Sequence, residues 1–182
     1  MLNKSVARRY AEAFFSIARD NNKIDDYQLE LENVVQTIAQ VDSLKEYMAH
    51  LLIPTAAKKD VLKQLFGEQL SPTTLNFIMM IVDKKRETYL EVIVEEYKDM
   101  ADEYRNIAKV DLIAAKEVPE EDVKFLAEKL SASTGKTVQL NMKVDPALIG
   151  GVKLRMGDQI IDGTVAKKLD MLKEQLLQAK TS

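Results

Sequence analysis

The chain has 182 residues, 46% apolar and 30% charged, with six glycines, four prolines and a formal net charge of −3; this balance fits a helix-rich globular protein and argues against a disordered chain. It has no cysteine and one histidine, which excludes a disulfide framework and a thiolate metal site and suits a cytosol-facing protein. Residues 1–105 carry 14 Lys and Arg against 18 Asp and Glu, and residues 106–182 carry 12 against 11, so neither part has the basic footprint of a nucleic-acid binder.

The N-terminal segment has Arg8, Arg9 and Glu12 where a secretory signal needs unbroken apolar sequence. Its apolar spacing predicts a helix over Lys4 to Asp20, with Val6, Tyr10, Ala13, Phe14 and Ile17 flanked by Ala7, Ala11, Phe15 and Ala18. At about 100° per residue these positions cover roughly 200° of the circumference. A surface helix needs an apolar stripe of only a little over about 100° to meet its own core. Two readings stay open: the helix is gripped on two sides by its own domain, or it keeps a second face for a partner.

A second helix is expected after Asp25 or Asp26, whose carboxylates can cap it, carrying Tyr27, Leu31, Val34, Val35, Ile38 and Val41. A short third runs from about Ser43 to Leu52. Pro54 breaks the chain, Thr55 can cap a fourth helix to Phe66, and Gly67 suits a left-handed stop. Ser71 and Pro72 form the next start signal, a hydroxyl cap followed by a residue with no amide to satisfy.

In the fifth helix Leu75, Phe77, Ile78, Met79, Met80, Ile81 and Val82 point all round the axis, so it is enclosed by its own fold or by something else. Methionine pairs of this kind are usually core filler. The dense run Phe77 to Val82 is far short of the roughly 20 residues that span a bilayer, so membrane association is expected only through partners. The sixth helix, from about Glu87 to Tyr104, has Leu90, Ile93, Val94, Tyr97, Ala101 and Tyr104 on one side. Glu91, Glu95, Glu96, Asp99, Asp102 and Glu103 lie opposite and read as a solvated face.

After Arg105 the apolar period changes from helical to alternating, and the domain boundary is placed there, giving domains 1–105 and 106–182. A strand is expected over Ile107 to Ala115, then a helix opened by Pro119 with Val123, Leu126, Ala127 and Leu130 inward. Val138, Leu140, Met142 and Val144 alternate with Thr137, Gln139, Asn141 and Lys143, as in a strand with one wet face. Val152, Leu154 and Met156 repeat the pattern, and Gly157 with Asp158 makes a tight reversal into Gln159 to Asp162. Gly163 and Thr164 end the sheet and cap a last helix carrying Val165, Leu169, Leu172 and Leu176. The fold class is α+β: an N-terminal six-helix bundle followed by a small mixed α/β domain.

Catalytic chemistry is sparse. His50 alone suits an exposed or capping position better than a catalyst or ligand, and no metal or cofactor is expected. Gly135, Lys136 and Thr137 fail as a phosphate-binding loop, since Leu130 stands where glycine is needed and the segment joins helix to strand. Gly150 and Gly151 precede a strand, not a helix N-terminus, so a hairpin or close backbone approach explains them better than an anion site. Two rival classes are an RNA-binding or regulatory helical module, opposed by the acidic first half, and an enzyme, opposed by the lack of a nucleophile and base set.

The run Asp145-Pro146-Ala147-Leu148-Ile149-Gly150-Gly151-Val152-Lys153-Leu154-Arg155-Met156-Gly157-Asp158, continuing through Asp162, Gly163 and Thr164 to Leu169, closely resembles the C-terminal signature of the ATP synthase delta subunit and the oligomycin-sensitivity-conferring protein. Ala7 to Phe14, Ala-Arg-Arg-Tyr-Ala-Glu-Ala-Phe, is similar to that family's opening helix. The resemblance covers essentially the whole chain. It implies a non-catalytic stator part of a proton-translocating rotary ATP synthase, peripheral at the cytoplasmic face of the cell membrane. It also implies that the first domain receives the N-terminal helix of an alpha subunit in a groove between its first and fifth helices, on Tyr10, Ala11, Ala13, Phe14, Asn76, Met79 and Met80. The sheet and last helix of the second domain are then expected to meet the b subunits of the peripheral stalk. Phe14→Asp or Met80→Asp is expected to weaken the alpha-subunit contact while the domain stays folded.

Overall fold

The computed structural model describes residues 4–157 and 159–179, and the side chains of the last helix as far as Lys173. Among them the order is α1 (Lys4–Asp20), α2 (Ile24–Gln40), α3 (Asp42–Ala49), α4 (Thr55–Phe66), α5 (Pro72–Asp83), a one-turn 3-10 helix (Glu87–Tyr89) and α6 (Leu90–Tyr104). There follow β1 (Ile107–Ala114), α7 (Glu120–Thr134), β2 (Thr137–Val144), β3 (Val152–Met156), β4 (Gln159–Asp162) and α8 (Val165–Ala179). The architecture is α+β with one mixed sheet, and the chain divides into two compact units, Met1–Asp102 and Glu103–Ser182.

Local chemistry sets the start of α5. Ser71 Oγ accepts from the Thr74 amide at 3.3 Å with Pro72 in the first turn, and the Glu30 carboxylate of α2 takes both the Ser71 amide and hydroxyl, at 3.0 and 2.8 Å. The cap thus also ties α2 to α5. Other expected caps differ. Asp25 and Asp26 sit inside the first turn of α2, where their charge meets the positive end of the helix dipole, and Lys23 holds the cap position. Thr55 is the first helical residue after Pro54 and not a cap, and Gly67 is right-handed at φ −58°.

The first unit is built on one core. Ala7, Ala11, Phe14 and Ala18 give α1 a narrow inward line of mostly small residues. Phe14 meets Tyr27, Phe77 and Tyr97 with ring centroids 5.5, 4.2 and 5.7 Å away, and the Tyr97 hydroxyl donates to the Ile24 carbonyl at 3.0 Å. Leu31, Leu62, Ile81 and Ile93 belong to the same buried core.

The supposed wet face of α6 needs correction. Glu96 and Asp102 are 6% and 8% exposed, while Tyr104, placed on the apolar side, is 58% exposed. The exposed Lys4 ammonium pairs with Glu96 at 3.0 Å, and that hydrogen bond and charge hold the lysine pKa above its ordinary value. A countercharge from another helix makes the buried carboxylate tolerable.

In the second unit the strand order is β2-β1-β3-β4, with β1 parallel to β2 and antiparallel to β3, and β3 antiparallel to β4. The parallel pair requires a crossover, and α7 supplies it. Register puts the alternating apolar residues on one face: Val110 beside Leu140, Leu112 beside Met142 and Leu154, and Leu154 beside Ile161. Val123, Leu126 and Leu130 of α7 pack against Val110, Leu112, Val138 and Leu154.

Candidate functional site

The apolar faces that the two units do not cover themselves form the candidate site. In the first unit, the residues expected to meet a partner separate by helical phase. Ala11, Phe14 and Met79 are 0%, 1% and 8% exposed and belong to the core, so they support a surface without forming it. Phe14 in particular cannot take a charge and leave the domain folded, because its ring is enclosed by three others; the expectation for Phe14→Asp is corrected accordingly. Ala13, Asn76 and Met80 are exposed and Tyr10 is half-buried.

Two residues beyond the expected set complete the pattern. Ile17, 45% exposed, extends Tyr10 and Ala13 by one turn, and the half-buried Thr73 does the same for Asn76 and Met80. The i, i+4 step from Ala13 to Ile17 was the available signal. Tyr10, Ala13 and Ile17 stand at −4, −1 and +3 from Phe14, and Thr73, Asn76 and Met80 stand at the same offsets from Phe77. Phe14 and Phe77 are stacked, so the two lines flank one helix-to-helix contact.

In the second unit the sheet face runs on beyond its cover. Met142, Val144 and Ile161 lie on the face that α7 packs but are 37%, 46% and 58% exposed. Along α8, Val165, Leu169 and Leu172 recur at i, i+4 and i+7 and are 39%, 56% and 55% exposed; Leu176 lies outside the described side chains.

The signature residues hold this end together. Asp145 Oδ1 accepts from the Ala147 amide at 3.0 Å and starts the turn after β2. Gly150 O accepts from the Val165 amide, and Val152 O from the Gly163 amide, both at 3.0 Å. Gly151 has φ +84°, and a Cβ there would lie 2.6 Å from the Gly163 carbonyl oxygen and 2.9 Å from Thr164 Cα. Only glycine lets these backbones approach so closely. Asp162 Oδ1 accepts from the Thr164 hydroxyl at 2.7 Å and amide at 3.0 Å, and those bonds hold its carboxyl below the ordinary aspartate value. Thr164 Oγ1 then accepts from the Lys167 amide at 3.3 Å and caps α8. Gly157 takes φ +58° at the β3–β4 turn; Asp158 lies outside the described residues.

The remaining polar features are structural. Gly135, at φ +69°, ends α7 in the left-handed region. His50 is exposed and accepts from the Leu52 amide through Nδ1 at 3.3 Å. Lys58, 3% exposed, donates to the Met48 carbonyl and pairs with Glu87, a buried link that sequence reading missed because its halves are 29 residues apart. No helix among the described residues is long and apolar enough to cross a membrane.

Comparison with known proteins agrees along the whole chain. Residues 6–176 match the family model described as ATP synthase delta (OSCP) subunit. A Syntrophomonas wolfei subsp. wolfei protein named ATP synthase subunit delta is 65% identical over 182 residues, covering all of both chains. An Alkaliphilus metalliredigens protein of the same name is 40% identical over 173 residues, covering 95% of this chain and 96% of its own. Among solved structures, a chain of the Toxoplasma gondii mitochondrial ATP synthase hexamer superimposes with a TM-score of 0.70 at 25% identity, covering 94% of this chain and 97% of that one. The chain therefore belongs to the ATP synthase delta (OSCP) subunit family, a non-catalytic subunit of ATP synthase.

Proposed function

We propose that the chain is a stator subunit of a proton-translocating rotary ATP synthase, linking the catalytic head to the peripheral stalk and resisting rotor torque. The observation that carries this is the pair of half-buried to exposed lines, Tyr10-Ala13-Ile17 and Thr73-Asn76-Met80, flanking the buried Phe14–Phe77 stack. In this reading α1 and α5 run antiparallel, so the shared offset puts both lines on one side, the geometry of a groove. In this reading the first six helices, as a bundle spanning residues 1–105, receive the N-terminal helix of an alpha subunit there. A helix laid in an apolar groove gains roughly 25 cal/mol per Å² of apolar surface removed from water, without any covalent tie.

The second unit, in the same proposal, meets the b subunits of the peripheral stalk through residues 106–182. The uncovered strip of Met142, Val144 and Ile161 and the line Val165, Leu169 and Leu172 along α8 support this. Exposed apolar surface repeating at helical spacing suits a partner that is itself a long helix. The subunit then sits at the cytoplasmic face of the cell membrane, held there by its partners.

A tagged chain recovered from a membrane extract tests the proposal. Co-elution of the alpha, beta and b subunits is expected, and their absence from an extract that contains assembled enzyme overturns it.

A further inference from the structure

The first unit contains a cavity of about 190 Å³ between α2, α3, α4, α5, the 3-10 turn and α6. Its floor is Met48, Leu62, Ile81 and Leu90, all buried. Exposed Lys45, Thr88 and Glu91 stand at its mouth, and Glu87 is in its wall. We propose that this cavity binds a small, flat, neutral aromatic molecule carrying one hydrogen-bond donor. The inference is independent of the stator reading, since no residue of the exposed lines on α1 and α5 lines the cavity.

Size, charge and hydrogen bonding each narrow the ligand class. An apolar cavity of about 150 Å³ suffices to hold benzene, so this one takes one ring or two fused rings. The floor has no side-chain group to replace the water around a strongly polar molecule, so most of the ligand must be apolar. A charged ligand is disfavoured: Glu87 is already neutralised by Lys58, the mouth carries one acid and one base, and an added ion would stand unbalanced above an apolar floor.

The donor follows from Glu87. Its Oε1 is held by the Lys58 ammonium, which also donates to the Met48 carbonyl. Its Oε2 is buried and takes no hydrogen bond from the protein, an acceptor left over on a residue that lines the cavity. Because Oε2 is shut off from solvent, a ligand reaches it by a small shift of the turn that carries Glu87 while Lys58 keeps its hold on Oε1. The Glu87–Tyr89 turn is a single turn after Lys85, whose φ is +53°, so the wall there has few helical hydrogen bonds to resist the movement.

Indole and benzofuran test this on the full chain, since they share a shape and differ in N–H against ring oxygen. Calorimetry supplies affinities, and methyl NMR at Ile38, Ile78, Ile81 and Leu62 locates binding. Indole is expected to shift those methyls and to bind at least about ten times more tightly than benzofuran, the worth of one hydrogen bond to a charged acceptor. Glu87→Gln puts an amide donor where the spare acceptor stood and is expected to erase or invert the preference. Ala49→Phe, at an exposed position on the mouth, is expected to block both ligands. Absence of methyl shifts, equal affinities, or an unchanged preference in folded Glu87→Gln overturns the proposal. If Glu87→Gln does not fold, the indole-to-benzofuran ratio on the unaltered chain decides alone.

Discussion

The rings of Phe14 and Phe77 stack with centroids 4.2 Å apart and planes 17° from parallel, so the first and fifth helices are fastened together from inside. The neighbours of each ring then separate into core and surface. Phe14→Ala is expected to cost about 3–5 kcal/mol, the usual range for emptying a buried aromatic site, measured by urea denaturation of the first unit's near-UV signal.

Met80→Asp should behave differently, because Met80 is 39% exposed. Its unfolding free energy is expected to stay within about 0.5 kcal/mol of the parent. Titration calorimetry with an alpha-subunit N-terminal peptide should show at least about a tenfold loss of affinity, as expected for a charge placed against an apolar anchor. Unchanged affinity in this folded variant would remove the groove assignment.

Gly151 and Gly157 both have positive φ but unlike surroundings. Gly151→Ala meets backbone atoms at 2.6 and 2.9 Å, whereas Gly157→Ala meets nothing within 4 Å. The second change is expected to cost about 1–2 kcal/mol, the left-handed penalty alone. The first should cost clearly more, since neither backbone can yield without parting β3 from the start of α8. Amide exchange at Val165 and Gly163, whose N–H groups bond Gly150 O and Val152 O, reports the difference directly.

Acid should loosen the same junction. The Thr164 hydroxyl, and after it the Thr164 amide, keep the Asp162 carboxyl below the ordinary aspartate value of 3.8. Lys143, and after it Asn141, lower Asp111 likewise. A folded carboxyl more acidic than its unfolded counterpart stabilises fully above the unfolded value, and that contribution is lost as pH falls through the folded one. The unfolding midpoint should therefore drop with pH below 3.8. Asp162→Asn keeps an acceptor for Thr164 but cannot titrate, and should give a shallower pH dependence in the same acid series.

Lys58→Met is expected to destabilise the first unit by about 3–5 kcal/mol, because it leaves the Glu87 carboxylate buried without its countercharge. Adding Glu87→Leu should recover most of the loss in thermal unfolding. No recovery would show that packing, and not charge, sets the cost.

Elements signalled by adjacent residues were legible in the chain, though the caps expected at Asp25, Asp26 and Thr55 and the left-handed stop at Gly67 were not found; contacts between distant residues were not legible. Ser71-Pro72 announces α5 because cap and first turn are neighbours, and Val138, Leu140, Met142 and Val144 announce β2 because alternation is local. Glu96 looks like any solvent-facing acid until Lys4 arrives from α1. The wide apolar arc of α1 was visible, but which part turns inward depends on the Phe77 ring 63 positions later. Gly151 was legible as a close approach, whereas its partner, the Gly163–Thr164 backbone, needed the fold.

Met79 and Met80 are consecutive, yet one is 8% and the other 39% exposed. α5 has 12 residues and no glycine, so it offers little slack. Inserting or deleting one residue within it would rotate everything beyond by about 100°, bringing outward positions into the interior and pushing Ile81 and Val82 into water. This stretch can therefore change by substitution but not by length, and natural variation in chain length should fall in the loops on either side of it.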